Sequence, residues 1–308
     1  MVDIQRLEPR DAEDVARRAV AQLRIDASKK RLVNAETSVE QLRDALASCA
    51  SSTWVALENG RIVGHLYGAL LESSTHGCGV WVGPDGVSFD NAHVLDALYA
   101  TAAQEWIDAG ASDHFVWVFD DPTSRSEWFN LGFAMMHARG AKVLDERCRD
   151  LPPGYALRLG SLDDLDLAIE LDDELDVSQR EGPSFALGPS ALSQRDDWLE
   201  TLGDPESRHY IVEHGGAVAA HCVTFPLPSL RGAFERTIHL SAVLVRSEHQ
   251  RRGVASAMID HALSDARSQG FNFADTNWRV TNRGADAFWR NYGFETTYVR
   301  LHRTIGEF

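Results

Sequence analysis

The stretch that decides the fold lies in the second half of the chain, where residues 238–256 read IHLSAVLVRSEHQRRGVAS. The apolar run at its start predicts a strand, and Gly253 with the residues after it predicts the start of a helix. Amide N–H groups at a helix start, with the positive end of the helix dipole, attract an anion. The guanidinium groups of Arg251 and Arg252 suit a pyrophosphate. Glycine at 253 is expected because the backbone must bend or approach a ligand where a Cβ atom would clash.

The same order of elements occurs twice along the chain, which indicates a duplication. Each copy opens with a strand and a helix, continues with a β-hairpin and a long helix that ends at glycine, and closes on Trp-x-Asn-x-Gly-Phe. The matching segments are 54–63 and 210–218 for the hairpins, 92–109 and 253–269 for the long helices, Gly110 and Gly270 for the helix ends, and 128–133 and 289–294 for the closing motif. The predicted order in each copy is β-α-α-β-β-β-α-β-α-β.

This order predicts a mixed α/β fold, with a mainly antiparallel sheet flanked by helices. The charged, Pro/Gly-rich run 147–154 is typical of a linker. We therefore expect two tandem domains, residues 1–149 and 150–308.

Composition narrows the function classes. With 44% hydrophobic and 25% charged residues the chain is typical of a globular protein, and its four cysteines lie far apart, as free thiols do in a reducing cytoplasm. We expect a cytoplasmic protein, a monomer or homodimer, with no membrane span, secretory signal or metal site. The net charge of −16 argues against a nucleic-acid partner and mildly favours an amine-bearing substrate, although solubility alone explains it as well.

The quoted stretch resembles the signature of the GNAT N-acetyltransferase superfamily. Residues 250–255, QRRGVA, fit the family pattern Gln/Arg-x-x-Gly-x-Gly/Ala, and residues 282–294, NRGADAFWRNYGF, resemble its closing helix. The resemblance covers about residues 155–305 by motif and 4–145 by fold only. It implies a tandem GNAT protein that uses an acyl-CoA, usually acetyl-CoA, as co-substrate.

The resemblance also implies where the coenzyme binds. The pyrophosphate would lie on the amides of the turn and helix start, the pantetheine arm would pair with the strand end, and Asn282 would help to hold that arm. The implied cofactor residues are Val243, Leu244, Val245, Gln250, Arg251, Arg252, Gly253, Val254, Ala255, Ser256, Asn282 and Trp289.

The implied reaction is direct attack of an amine on the thioester, which requires removal of a proton from the amine. His239 is the candidate base, and Ser241 is the second catalytic candidate on the same strand; a purely structural histidine is the alternative reading. Strand alternation predicts that both share one face with Val243 and Val245.

Trp289 stands where the family commonly places a tyrosine that protonates the leaving thiolate. An indole N–H donates a hydrogen bond but does not release its proton near neutral pH. Trp289 is therefore expected to contact the sulfur at most. Tyr292 is a possible substitute acid, with packing as the alternative.

The first copy lacks the anion-binding chemistry. Alignment of Gly110 with Gly270 places residues 90–95, DNAHVL, where 250–255 stand, so the glycine and both arginines are missing. Asp90 would repel a pyrophosphate. We expect no productive acyl-CoA site in residues 1–149, and a role as scaffold or as one wall of the substrate pocket.

The sequence identifies the acceptor-binding site less specifically than the coenzyme-binding site. Eight acidic residues lie within 163–176, and they indicate either a cation-attracting mouth or a solvated helix face. Residues 179–189 are expected to form an acceptor loop. The sequence thus favours an N-acyltransferase that acts on a small, cationic amine. A non-catalytic acyl-CoA sensing module and a protein N-acetyltransferase stay open as alternatives.

Overall fold

The computed structural model describes residues 2–73, 77–186, 191–227 and 232–306, without the side chains of Ser73 and residues 191–193. The chain forms two compact units, each with a discontinuous sequence: unit 1 comprises Met1–Ala138, Leu230–Phe234 and Thr296–Phe308, and unit 2 comprises Arg139–Ser229 and Glu235–Glu295. The predicted acceptor loop extends into residues 187–189, which lie outside the described ranges.

The first half of the chain supplies seven strands and four helices. They are β1 Asp3–Arg6, α1 Ala12–Lys29, α2 Val39–Ser48, β2 Thr53–Glu58, β3 Arg61–Tyr67, β4 Ala69–Ser73, β5 Gly77–Val82, β6 Val87–Phe89, α3 Ala92–Asp108, β7 Asp113–Phe119 and α4 Pro122–Asn130. Side-chain caps fix the helix starts, since Ser38, Asn91 and Asp121 each accept hydrogen bonds from first-turn amides.

The described residues of the second half form the remaining helices and strands. They are β8 Ala134–Val143, β9 Tyr155–Leu159, α5 Leu165–Arg180, α6 Ala191–Gly203, β10 Arg208–His214, β11 Ala217–Pro226, β12 Thr237–Val245, α7 Val254–Ser268, β13 Phe273–Arg279, α8 Arg283–Tyr292 and β14 Glu295–Thr304. From β9 onward the order is the predicted one. Gly270, with φ at 90°, ends the long helix in the left-handed conformation that favours glycine.

Unit 2 is built on one sheet with the strand order β8-β13-β12-β11-β10-β9. Its pairs are antiparallel from β9 to β12, whereas β12 and β13 are parallel. The turn between β10 and β11 is Gly215-Gly216, with φ values of 61° and 83°, as the hairpin prediction requires. The mixed, mainly antiparallel sheet flanked by helices is confirmed.

Unit 1 departs from the predicted order. Five strands, β2 to β6, separate α2 from α3, where the sequence predicted three. The extra strands arise because each of two expected strands is interrupted, and the residues 83–86, GPDG, form the second interruption. The strands therefore form two groups, β1-β2-β3-β6 and β4-β5-β7-β14.

The closing strands explain why the units are discontinuous. In unit 1, residues 298–304 of β14 pair antiparallel with β7. In unit 2, the part of β8 from Arg139 onward belongs to the sheet next to β13. The division of the sequence at 149/150 stays a prediction about the duplication.

Candidate active site

Strands β12 and β13 of unit 2 diverge at the position expected for a ligand cleft. Their parallel pairing runs from Thr237–Phe273 to Leu240–Thr276 and ends there, although β12 continues to Val245. A strand segment that leaves its neighbour exposes backbone N–H and C=O groups along one edge. The end of β12 therefore offers hydrogen-bonding groups to an extended ligand.

A β-bulge at Ala242 changes which faces the β12 side chains occupy. Ala242 has a φ of 48°, and the register with β11 shifts between the pairs Val223–Ser241 and His221–Leu244. The bulge inserts one extra residue, so the alternation reverses beyond it. His239 and Ser241 share one face as predicted, but the prediction that Val245 lies on that face is wrong. Leu244 takes that place.

His239 belongs to a buried chain of charged and polar groups on three adjacent strands. Its Nδ1 lies 2.9 Å from Oδ1 of Asp275, and Oδ2 of Asp275 lies 2.7 Å from Nε of Arg139. A carboxylate can only accept, so Nδ1 carries the proton and Nε2 keeps its lone pair. This arrangement fixes the imidazole in the tautomer that a general base requires.

The sequence reading did not identify Asp275 or Arg139. Asp275 follows Phe273 and Ala274 at the start of β13, and an acid next to these apolar residues was an available signal. Parallel register places it directly beside His239. Arg139 had no comparable signal, because its sequence position assigns it to the first copy, while the fold assigns it to unit 2.

The turn before α7 has the backbone predicted for an anion site. Gly253 is the N-cap of α7 with a φ of 86°, and no side chain caps the helix. The first amide that bonds within the helix is that of Ala257, to the Gly253 carbonyl at 3.1 Å. The amides of the three residues before Ala257 are therefore available to a ligand. No protein atom lies within 4 Å of a Cβ at 253, so within the protein it is the φ of 86°, and not packing, that favours glycine.

The charged residues beside this turn divide into two groups. Arg246 is bound to Glu170 and Glu174 at 2.7 and 2.9 Å. Arg251 and Arg252 are exposed, and neither has an ion-pair partner among the residues that the structure describes. These two guanidinium groups are the ones free to bind an anion.

The other predicted cofactor residues differ in what they expose. Gln250 is exposed, with its Nε2 on the Val245 carbonyl at 3.0 Å. Val243, Val245, Ala255 and Ser256 are half-buried, whereas the side chains of Leu244 and Val254 are buried. A ligand therefore meets Val254 through its amide.

Asn282 has a structural task of its own. It is the N-cap of α8, and its Oδ1 accepts from the Ala285 amide at 3.0 Å. This leaves its Nδ2 group for any contact with a ligand.

Trp289 lies in an aromatic cluster of unit 2. It is 5% exposed, with its ring 5.2 Å from that of Phe294 and 6.3 Å from that of Trp278. Trp128 packs on Phe133 in the same way, at 5.0 Å, within unit 1. The repeated tryptophan is thus a packing residue in both copies.

Tyr292 does not offer an acid in place of a tyrosine at 289. Its hydroxyl donates to Oδ1 of Asp260, and burial raises the pKa of Tyr292 well above its usual range. A hydroxyl held in this way does not release a proton near neutral pH. The packing alternative for Tyr292 is the one the structure favours.

A pocket of about 180 Å³ in unit 2 is lined by Ser241 and by Phe225, the β11 partner of His239, whereas His239 itself is not among the lining residues. Val223, Asp172 and Trp198 also line it. The ring of His239 lies 5.0 Å from that of Phe225. Oδ2 of Asp172 accepts from Trp198 Nε1 and Gln194 Nε2, which orients the carboxylate.

Most acids of the segment 163–176 are engaged in contacts. Besides Glu170 and Glu174, Asp164 binds Arg158 and Asp166 binds Arg195. Asp172 therefore stands out as the acid of this segment that lines the pocket. The sequence indicated either a cation-attracting mouth or a solvated helix face for this segment. In the structure most of its acids form ion pairs or face solvent, and Asp172 lines the pocket.

The buried Arg139–Asp275 pair makes a stability prediction. Replacement of Arg139 by methionine should lower the free energy of unfolding by about 3–5 kcal/mol, because it leaves the buried Asp275 carboxylate without its cation. Arg267→Met is the matched control, since Arg267 pairs with Glu146 in an exposed position and should cost less than about 1 kcal/mol. Chemical denaturation of both variants measures the difference in unfolding free energy. Equal losses of stability would contradict the claim that Arg139 compensates the buried Asp275 carboxylate.

The segment of unit 1 that corresponds to the α7 turn has different groups from those of the anion-binding turn. Asp90 binds Arg18 at 2.7 Å and Arg61 at 3.0 Å, and these contacts lower the pKa of its carboxyl. Asn91 caps α3 with its side chain, which occupies the amide of Val94. A carboxylate and a filled cap stand where unit 2 offers bare amides and two arginines.

The described part of the chain includes neither a membrane-spanning helix nor a metal-binding cluster. No helix there has the length and apolar character needed to cross a membrane. Within the same residues, no group of three or more His, Cys, Asp or Glu side chains is placed to hold a metal ion.

Solved structures share this fold over the whole chain. A GCN5-related N-acetyltransferase from Sphaerobacter thermophilus superposes with a TM-score of 0.67 at 16% identity, covering 99% of this chain and 96% of that one. A tandem GNAT protein from the clavulanic acid biosynthesis pathway gives 0.55 at 16% identity over the full length of both chains. A GCN5-related N-acetyltransferase from Kribbella flavida gives 0.52 at 13% identity and 96% of each chain. At these identities the likeness establishes the fold, including the tandem arrangement.

Sequence comparison gives a family match in the second half of the chain. None of the curated proteins compared with this sequence matches it. Residues 173–294 match the acetyltransferase (GNAT) family. This range contains the His239–Asp275 pair, the α7 turn and the residues that line the pocket, except Asp172, which lies just before it. Over this segment the chain is similar to the GNAT acetyltransferase family.

Proposed function

We propose that the protein is an acetyl-CoA-dependent N-acetyltransferase whose active site lies in unit 2 and whose acceptor is a small, cationic amine. The observation that carries the proposal is the His239–Asp275 hydrogen bond at the point where β12 and β13 part. It supports a base at His239, near a pocket lined by Asp172 and Asp197 and on the strand that leads to the α7 turn.

The coenzyme fits this cleft by charge and by hydrogen bonding. Its diphosphate would accept from the amides at the start of α7, next to Arg251 and Arg252. Its pantetheine arm would pair with the free edge of β12 at Val243–Val245, beyond the bulge. Acetyl-CoA is favoured because members of this family use it.

The chain's own residues would then remove a proton and hold the charge that results. Nε2 of His239 accepts a proton from the ammonium group, directly or through water, and the neutral nitrogen attacks the thioester carbonyl. The new C–N bond forms as the C–S bond breaks, so the products are an amide, a thiol and one proton. Asp275 stabilises the imidazolium, and Arg139 holds the other oxygen of that carboxylate in place.

The leaving thiolate has no tyrosine donor in this site. Trp289 is buried in packing, and the Tyr292 hydroxyl is held by Asp260. A thiolate is a tolerable leaving group, since thiols ionise near pH 8.5. The thiolate therefore takes its proton from solvent or from the imidazolium.

The pocket lined by Phe225 and Ser241 supports a cationic acceptor. Asp172 and Asp197 line it, and no lysine or arginine does so among the described residues. Carboxylates without competing cations favour a ligand that carries a positive charge. A primary amine, such as that of an aminosugar or a polyamine, has the required charge and nucleophile.

The test is thiol release from acetyl-CoA in the presence of primary amines and of alcohols of the same shape. We expect release with at least one amine class and not with the alcohols, and loss of that release in Asp172→Asn with little change in coenzyme affinity. Release that depends on coenzyme alone, or that is unaffected in Asp172→Asn, would contradict the acceptor assignment.

One observation favours a second candidate, a non-catalytic module that senses acyl-CoA. The position where the family places its acid holds Trp289, which cannot act as one, and the hydroxyl of Tyr292 is held by Asp260. Tight binding of acetyl-CoA without thiol release for any amine would favour this candidate.

A further inference from the structure

Unit 1 contains a cleft of its own between β6 and β7. The parallel pairing of β5 with β7 ends at Val82 and Val116, after which the turn 83–86 leads the chain to β6, which pairs with β3 instead. The cleft has a volume of about 240 Å³, and the residues 87–89 and 117–119 of the two strands line it.

The charges at this cleft favour a cation. Asp26, Asp90 and Glu127 line it, while no lysine or arginine does so within the described ranges. The carboxylate of Asp90 is already compensated by Arg18 and Arg61. The helix start that would attract an anion carries the Asn91 cap.

The cleft wall is aromatic. Five rings contribute to it, those of Phe89, Trp117, Phe119, Trp128 and Tyr298. Cations bind the faces of such rings, tryptophan most strongly. The Nζ atoms of Lys29 and Lys30 lie 5.6 and 5.5 Å from the centre of the Phe119 ring, so ammonium groups already contact this aromatic wall.

Asp26 lines the cleft with a carboxylate of which only one oxygen is hydrogen-bonded among the described residues. Its side chain is 6% exposed, and its Oδ1 accepts from Nε2 of Gln22 at 2.9 Å. None of the described residues donates a hydrogen bond to its Oδ2. Burial raises the pKa of Asp26 to about 6, against the opposing effects of the Gln22 hydrogen bond and the Lys29 charge. A buried carboxylate with a free oxygen is stabilised by a cationic donor.

We infer that the cleft of unit 1 binds an organic ammonium ion, with its N–H groups on Oδ2 of Asp26 and its hydrocarbon part against the aromatic wall. Unit 1, the first copy of the fold, thus has a ligand site, but for a ligand of opposite charge to a coenzyme diphosphate. This site is separate from the acceptor pocket of unit 2 and does not depend on the proposed reaction.

Calorimetric titration of the full-length protein tests this inference with two probes of equal shape, benzylammonium and benzyl alcohol. We expect benzylammonium to bind saturably, and benzyl alcohol to bind roughly tenfold or more weakly, because a charge-assisted hydrogen bond is lost. Asp26→Asn should weaken benzylammonium binding by a similar factor.

Two control variants and a folding check make the result specific. Asp14→Asn should leave the affinity unchanged, because Asp14 is an exposed acid on the same helix as Asp26 and does not line the cleft. Asp172→Asn, in unit 2, should also leave the Asp26-dependent binding unchanged. The melting temperature of each variant shows that it is folded. Equal affinity for the two probes, unchanged binding in folded Asp26→Asn, or no saturable binding at millimolar concentration would each overturn the inference.

Discussion

Replacement of His239 by alanine should lower kcat for thiol release by about 10²–10⁴-fold, because the reaction loses its general base. The affinity for acetyl-CoA should stay within a few-fold of that of the parent protein, since the imidazole is assigned to the acceptor side. Steady-state kinetics and calorimetric binding measure the two effects separately. Loss of rate together with loss of coenzyme affinity would instead indicate that His239 supports the coenzyme site.

Replacement of Asp275, which accepts a hydrogen bond from His239, is a second test of His239 as the base. In Asp275→Asn, the amide can donate to Nδ1 of His239, so the proton moves to Nε2 and the lone pair is lost from the reactive side. We expect a rate loss close to that of His239→Ala. Asp265→Asn is the matched control, because Asp265 accepts from the Tyr210 hydroxyl away from the site and should leave kcat unchanged. Equal rate losses for Asp275→Asn and Asp265→Asn would contradict the role of Asp275.

Replacement of Gly253 by glutamate should weaken acetyl-CoA binding by about 100-fold or more. The substitution places a carboxylate beside the expected diphosphate and forces a side chain into the left-handed region, at a φ of 86°. Gly253→Lys carries the same backbone cost with the opposite charge, so it should bind more tightly than Gly253→Glu. Calorimetric titration with acetyl-CoA measures both.

Gly216→Glu is the control for backbone strain. Gly216 has a φ of 83° and, like Gly253, open space around a Cβ, but it lies in the β10–β11 turn. It should lose stability without losing coenzyme affinity. If Gly253→Glu bound acetyl-CoA as well as Gly216→Glu, the turn would not be the diphosphate site.

Local patterns predicted much of this fold. The hairpin turns at Asn59-Gly60 and Gly215-Gly216 and the helix ends at Gly110 and Gly270 all have the positive φ values expected of them. The long helices at Ala92–Asp108 and Val254–Ser268 lie within a residue or two of their predicted limits. These features depend on a few neighbouring residues, and the sequence shows such residues directly.

What the sequence did not predict depends on contacts between distant segments. The bulge at Ala242 arises from how β12 pairs with β11, and it moved Val245 to the face opposite His239. Arg139 reaches Asp275 from a strand 136 residues earlier in the chain, and no periodic pattern reports such a contact. The extra strands of unit 1 arise where an interruption splits a sheet. The candidate base could therefore be nominated from sequence, whereas Arg139 could not.

The most direct test of the account is a crystal structure of the protein with acetyl-CoA. We predict that the diphosphate lies on the amides at the start of α7, beside Arg251 and Arg252, with the thioester near Nε2 of His239. A nucleotide bound in the cleft of unit 1, with the turn around Gly253 free of ligand, would contradict it.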